Sequence, residues 1–268
     1  MKLKVGLIQM KVEDSREENI KKAEEGIRRA KDEGAELIIL PEMFTTPYKN
    51  ENFPVFMEEF PGPTNEMLRR LSKELDVYIV GGSIPESDSG KIFNTSYVYD
   101  NQGKLIGKHR KAHLFDIDVK GKISFRESDT LTPGDSSTLF EVKGIKMGLI
   151  ICYDIRFPEF SRILTLAGAK AIIVPAAFNM TTGPAHWHLS ARARALDNQV
   201  YVMMCSQSRN EEGVYVAYGN SLLASPWGDI VDSLDEKEGI LITEIDTDHI
   251  NRVREELPLL KHRREEIY

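Results

Sequence analysis

The chain reads as an α/β protein with two mixed sheets packed face to face and helices outside them. Three observations carry this expectation. Apolar runs of strand length recur along the chain, amphipathic stretches separate several of them, and tight turns join some neighbours into hairpins. Strands alternating with helices call for parallel pairing, whereas hairpins demand antiparallel pairing, so a mixture satisfies both.

The first strand is expected over residues 5–10; the apolar stretch at the N-terminus is too short for a signal peptide. Ser15 and Glu18 have capping-box spacing, and Ile20, Ala23, Ile27 and Ala30 form the apolar stripe of a helix that Gly34 closes. Residues 36–40 and 77–82 read as strands, with a helix opening at Pro63 and running to about Leu75 between them. The run 94–99 turns through Asn101, Gln102 and Gly103 into 104–106, and 140–142 turns through Lys143 and Gly144 into 145–147. Residues 147–152 form another strand, after which Pro158 suits the first turn of a helix that ends at Gly168. Runs at 171–175, 200–206 and 241–245 complete the set. With no low-complexity linker, composition break or strong repeat, residues 1–268 are expected to form one domain, with the charged tail 261–268 free to fray or to dock on a partner subunit.

Bulk properties exclude several classes. The formal charge of −7, from 42 acidic residues against 35 lysines and arginines, argues against nucleic acid as a partner. No apolar segment approaches membrane-spanning length. Two cysteines without CxxC spacing support neither a disulfide framework nor a zinc site, and they point to a reducing, cytoplasmic setting.

The most informative stretch runs from Met147 to Glu159, where a buried strand ends at Cys152 and a helix start follows. Such junctions leave backbone N–H groups free beside a side chain at the sheet edge, which suits a thiolate nucleophile. The alternative is a structural cysteine, the common fate of a free thiol. Tyr153, Asp154 and Arg156 crowd polar groups around Cys152, whereas Cys205 lies in an unbroken apolar run and reads as core packing. A cysteine nucleophile needs a base and donors for the developing oxyanion. His109, His113, His186, His188, His249 and His262 show no recognisable Cys/His signature, and His186 and His188 face different ways on a helix, so no metal site is expected. Glu42, where an apolar strand leaves the core at Pro41, is the better base, against the alternative of an exposed loop glutamate. Lys111 closes the strand-like segment that begins at Lys104; its alternative is a solvated basic face.

Three segments, Pro41-Glu42-Met43, the run from His109 to Phe115, and Ile150 to Glu159, resemble in order and spacing the nitrilase, or carbon-nitrogen hydrolase, superfamily. The resemblance spans the chain from Val5 to Asp229 and maps that superfamily's Glu-Lys-Cys triad onto Glu42, Lys111 and Cys152. It implies a four-layer α-β-β-α sandwich, a homodimer joined through helices near the active site, and a second pocket glutamate at Glu127, which by itself reads as an ordinary loop acid. Residues 111–119, 121–128, 131–134, 178–187 and 192–201 are similar to the omega-amidase branch, whose members deamidate 2-oxoglutaramate and 2-oxosuccinamate and accept simpler dicarboxylic acid monoamides.

The resemblance thus implies a small anionic amide as substrate and no cofactor or metal. Cys152 is expected to attack the amide carbon, Lys111 and the Tyr153 N–H to stabilise the oxyanion, and Glu42 to move the protons. Arg156 is expected to pair with Asp154 or Glu159, to organise the pocket, or to bind the substrate carboxylate, with the hydroxyls of Tyr48, Thr181 and Thr182 as further candidates. The competing readings are a deaminated-glutathione amidase, an N-carbamoyl hydrolase, and a silent interaction or redox-sensing protein in which Cys152 is merely oxidisable.

Overall fold

A computed structural model describes residues 1–121 and 123–267. Lys122, within the 121–128 segment, and Tyr268, at the end of the charged tail, lie outside the described residues. The strands are β1 (Lys2–Gln9), β2 (Leu37–Ile39), β3 (Glu58–Glu59), β4 (Tyr78–Val80), β5 (Ile84–Asp88), β6 (Lys91–Tyr99), β7 (Leu105–Arg110) and β8 (Asp116–Val119). They continue as β9 (Ile123–Arg126), β10 (Thr138–Val142), β11 (Ile145–Leu149), β12 (Ala171–Ala176), β13 (Tyr201–Ser206), β14 (Leu222–Ala224), β15 (Ile230–Ser233) and β16 (Gly239–Asp246). The α-helices are α1 (Arg16–Asp32), α2 (Phe53–Phe56), α3 (Pro63–Leu75), α4 (Pro158–Leu166), α5 (Gly183–Asn198) and α6 (Thr247–Glu256).

One sheet runs β16-β1-β2-β4-β6-β5-β3, with β7 also pairing β6; the other runs β10-β11-β12-β13-β14-β15. Both are mixed. β1, β2 and β4 are parallel, as are β11, β12 and β13, whereas the hairpins β6/β7 and β10/β11 are antiparallel. The hairpin turns fall where the sequence places them, with positive φ at Gly103 and at Lys143 and Gly144.

Side-chain alternation builds the layers. In β11, β12 and β13 the register aligns Leu149, Ile173 and Met203, which point inward to the core between the sheets, where Leu3, Val5, Leu7 and Leu37 meet them. The alternate residues Ile172, Val174, Val202 and Met204 face outward onto Leu164 of α4 and Trp187, Ala191 and Ala195 of α5. On the other side, Ile8, Ile38 and Ile79 pack against Ala23 and Ile27 of α1 and Leu68 and Leu71 of α3. Central strands buried on both faces explain the uninterrupted apolar runs in the sequence. The layers are therefore α-β-β-α. Among the described residues no helix is long and apolar enough to cross a membrane.

Helix boundaries follow local chemistry. Ser15 is extended at the start of α1 and its hydroxyl accepts from the Glu18 N–H at 3.2 Å, while also donating to Glu17. Pro63 opens α3 and Asp76, in the left-handed region, ends it. The sequence marks α5 only through the helical pattern around His186 and His188, because apolar side chains occupy both sides: Trp187 and Ala191 are buried, whereas Leu189 remains 65% exposed.

The parallel strands deliver their C-terminal ends to one edge. There β2 leads to Glu42, β11 to Cys152, β12 to Ala177 and β13 to Gln207. The Glu42 turn is held from the neighbouring β4–β5 connection. Met43, at φ +50°, donates its N–H to Ser83 Oγ at 3.0 Å, and Phe44 donates to the Ser83 carbonyl at 3.2 Å. Beside them Gly82 sits at φ +45°, where a β-carbon would lie 2.1 Å from the Pro41 carbonyl oxygen. Left-handed backbone and a forced clash both penalise any side chain here, so Gly82→Ala should lower the unfolding free energy by at least about 2 kcal/mol. A denaturant midpoint and slope like those of the parent would contradict this reading of the turn.

Candidate active site

Glu42, Lys111 and Glu127 converge although each comes from a different part of the chain. Lys111 follows the last residue of β7; its N–H donates to the Asn94 carbonyl and its carbonyl accepts from Gly134, both at 2.8 Å. The β8/β9 hairpin then brings the chain back, and Glu127 opens the 3₁₀ turn Glu127–Asp129 that follows β9. All three side chains are fully buried.

Lys111 Nζ lies 2.9 Å from Glu42 Oε1 and 2.9 Å from the Glu127 carboxylate. Asn94 donates to the same Glu42 oxygen at 2.8 Å, Gln207 donates to the Glu42 carbonyl at 2.8 Å, and the Phe115 N–H donates to Glu127 Oε2 at 2.6 Å. The Tyr48 hydroxyl stands between the carboxylates, in a short hydrogen bond to Glu127 and 3.1 Å from Glu42, and it accepts from Lys111 at 3.3 Å. Burial alone would drive Lys111 toward its neutral form, but Glu127 and Glu42 reverse that and raise its proton affinity. Burial raises the carboxyl of Glu42 above the usual range, with Lys111 opposing the shift and Glu127 adding to it. Glu42 Oε2 has no hydrogen-bond partner among the described residues, which leaves one carboxylate oxygen free for a proton.

Cys152 begins the 3₁₀ turn Cys152–Arg156 directly beyond β11, so the expected helix start is a tighter turn, with α4 following at Pro158. Its φ of +45° is left-handed, a conformation costing about 1–3 kcal/mol for a side-chain-bearing residue and typical of strained functional positions. Burial raises the thiol well above its ordinary range, the Glu42 charge raises it further, and Lys111 pulls it down. Glu42 and Cys152 thus each affect the other's proton affinity, and both hold a proton more tightly than they would in water. Cys205 differs: its thiol donates to the carbonyls of Ile8 and Ile39 at 3.3 and 3.4 Å inside the inter-sheet core.

Around the cluster lies an apolar wall of Met43, Tyr48, Phe53, Leu131 and Ala177. Tyr215 stacks on Tyr48 with centroids 4.7 Å apart, and its hydroxyl donates to the Ala177 carbonyl. Tyr48, Gln207 and Tyr215 also line a cleft of about 250 Å³. Tyr153 packs edge-on against Phe115.

Arg156 pairs with neither Asp154 nor Glu159. Its guanidinium lies over the Phe178 ring, 4.6 Å from the centroid, and contacts His186 Nδ1 at 3.0 Å, while its buried Nε has no hydrogen-bond partner. Burial lowers its proton affinity, and no carboxylate pairs with it among the described residues. Thr181 and Thr182 form the turn before α5, where the Asn179 side-chain oxygen accepts from both backbone N–H groups at 3.0 and 3.1 Å and from the Thr182 hydroxyl at 3.3 Å. Sequence reasoning passed over Asn94, Asn179, Gln207 and Tyr215. The first and third lie in or beside strands with no pattern to mark them, and Tyr215 lies in an irregular segment. Among the described residues no group of three or more His, Cys, Asp and Glu is arranged to hold a metal ion.

The two cysteines should separate by reactivity. A small haloacetamide should label Cys152 in the native protein, faster as pH rises and the thiol ionises, and should reach Cys205 only after unfolding. Equal labelling of both in peptide maps of the folded protein would contradict the contrast.

Comparison with known proteins places the chain. The model for the family described as carbon-nitrogen hydrolase matches residues 4–255. The omega-amidase NIT2 of Xenopus tropicalis is 46% identical over 267 residues, covering 100% of this chain and 97% of that protein, and its counterpart in Homo sapiens is 42% identical over 265 residues, covering 99% and 96%. The crystal structure of Nit3 from Saccharomyces cerevisiae, a member of branch 10 of the nitrilase superfamily, matches with a TM-score of 0.90 at 42% identity, covering 98% of this chain and 97% of that one. The chain belongs to the carbon-nitrogen hydrolase family of the nitrilase superfamily.

Proposed function

We propose that this amide hydrolase is an omega-amidase, releasing ammonia from the terminal amide of small dicarboxylic acid monoamides such as 2-oxoglutaramate, 2-oxosuccinamate and succinamate. One observation carries the chemistry: a fully buried ammonium, held by two carboxylates, shares its site with a thiol on a strained turn. The omega-amidase relatives, similar along their whole length, support the substrate class.

In this scheme Cys152 Sγ attacks the amide carbon as Glu42 accepts the thiol proton. Lys111 Nζ and the Tyr153 N–H donate to the oxygen as it gains charge. Glu42 returns its proton to the nitrogen, the C–N bond breaks, and ammonia leaves a thioester on Cys152. Water then attacks the thioester while Glu42 takes one of its protons; the C–S bond breaks, and the acid departs with the thiol restored. Glu127 pairs with Lys111, and with Tyr48 it fixes the ammonium. No cofactor enters these steps.

The distal carboxylate needs a charged or N–H partner, because an unpaired anion is costly to bury. Arg156 fits that role best, since its guanidinium has a buried, unpartnered Nε and no acid of its own. The unpartnered Asn179 Nδ2 is a second donor nearby in sequence to Phe178, over which Arg156 lies. Thr181 stands next in line, whereas the Tyr48 hydroxyl is engaged with Glu127. The chain is proposed to act as one catalytic domain in the cytoplasm, as a homodimer joined through α4 and α5, where Ile163, Leu166, Leu189 and Leu196 are exposed.

Lys111→Met and Glu42→Gln should each lower kcat by about 10²–10³ or more, the first by removing an oxyanion donor and the second by removing the proton carrier. Glu127→Gln should impair turnover by unbalancing Lys111. Near-parental turnover of either of the first two would sink the scheme. The pH profile adds a sign: Glu42 must be ionised to accept the thiol proton, and burial raises its carboxyl. Activity should therefore rise with pH along an acid limb lying above the ordinary glutamate value of about 4.3. A limb at or below that value would point to a different base.

Substrate choice is the direct test of the proposal. Succinamate should exceed butyramide in kcat/KM by about tenfold or more, the value of one charge-assisted hydrogen bond, and Arg156→Leu should erase most of the difference. Equal values in the parent enzyme would indicate a broad aliphatic amidase, and preference for deaminated glutathione or an N-carbamoyl acid would move the assignment to those alternatives.

A further inference from the structure

A second buried carboxylate, Asp154, plays no part in the reaction scheme, yet its contacts reach both halves of the site. It lies two residues after Cys152 and is fully buried. Its Oδ2 accepts from the Ile151 N–H at 2.9 Å, closing the turn that carries Cys152, and meets His109 Nε2 at 3.1 Å. Its Oδ1 accepts from the His113 N–H at 2.9 Å and meets His113 Nδ1 at 2.8 Å. His109 and His113 flank Lys111, two residues before it and two after. One side chain therefore bonds the backbone immediately before the nucleophile and the two histidines that flank Lys111 in the chain.

The surroundings fix this arrangement. Burial by itself would raise the Asp154 carboxyl, but His109 and His113 hold it down at about 2, so it is an anion at any working pH. An anion there calls for an N–H on each imidazole nitrogen that faces it. His109 is fully buried with its other nitrogen 3.2 Å from Thr138 Oγ1, and the His113 ring stacks on Phe157 with centroids 3.7 Å apart. Neither imidazole is free to swing away.

We propose that Asp154 is a positioning residue for hydrolysis, a strut that sets the spacing between the Lys111 ammonium and the Cys152 turn. The proposal rests on Lys111 and Cys152 being the reacting pair. Oxyanion stabilisation requires the donor to sit where charge develops, and a misplacement of about 1 Å can cost about 100-fold in rate. Cys152 also adopts a left-handed φ that it does not favour, so the Ile151–Asp154 bond holds the sulfur where attack needs it.

The test uses Asp154→Asn, which keeps the shape of the side chain and turns one acceptor into a donor. Active sites are counted by the end point of Cys152 alkylation, and succinamate kinetics are expressed per counted site. The expected result is a fall in kcat of about 10- to 100-fold with KM little changed. A parental kcat per site, or a loss of activity explained wholly by fewer alkylatable sites, would overturn the positioning role. If Asp154→Asn fails to fold, His113→Phe serves instead, because His113 is partly exposed and the ring stack on Phe157 survives. It should lower kcat per site by about tenfold, and an unchanged value would be equally contrary. Parental turnover by Lys111→Met would overturn the reaction scheme itself; with that variant inactive and Asp154→Asn unimpaired, only the strut falls.

Discussion

The Lys111 ammonium, shut away from water between Glu42 and Glu127, is the interaction on which the rest of the site depends. Taking three ionisable groups out of solvent carries a desolvation cost of several kcal/mol per ion, and removing one partner of such a cluster typically costs about 3–5 kcal/mol. Apolar residues of similar size would hold the sheets together at least as well. The surrounding structure accordingly satisfies every charge it can: Asn94 and Tyr48 serve Glu42, the Phe115 N–H serves Glu127, and the β8/β9 hairpin exists in the right place to bring Glu127 back to Lys111.

This charge balance links structure to reactivity. Two carboxylates face one ammonium, and Glu42, raised by burial, is the one whose second oxygen is left unpartnered. Cys152 is likewise raised, so the resting thiol holds its proton. A thiol that is neutral at rest avoids adventitious oxidation, because oxidation follows thiolate character and exposure. Lys111 opposes that shift, and in the proposed scheme its positive charge stabilises the anions that form. The apolar wall around Tyr48 and Tyr215 keeps the effective dielectric low and strengthens these interactions.

Much of this was legible in the sequence because strand periodicity and strand ends are local signals. The runs leading into Glu42 and Cys152 are buried on both faces, so they stay apolar until the residue that leaves the sheet, and the break in pattern marks that residue. The β10/β11 and β6/β7 turns were equally legible from Gly103 and Gly144. Burial of a charged side chain was not. Lys111 sits in a basic run of which Lys108 and Arg110 stay partly exposed and pair with the buried Glu86, and nothing local distinguishes the lysine that turns inward. Glu127 emerged only through resemblance to the superfamily, because its partner is 16 residues away across a hairpin. Contacts such as Gln207 with the Glu42 carbonyl, or Asp154 with His109 and His113, join segments far apart in the chain and have no periodic signature. The extent of the α5 helix was hidden for the opposite reason: apolar residues on both its faces blur the amphipathic pattern.

The central claim is that Cys152 carries the acyl group during turnover. Intact-mass analysis of enzyme acid-quenched while hydrolysing succinamate, followed by peptide mapping, should find a succinyl thioester on the peptide containing Cys152, and none on the peptide containing Cys205. An adduct on Cys205, or continued hydrolysis by Cys152→Ala with no adduct on the protein, would contradict it.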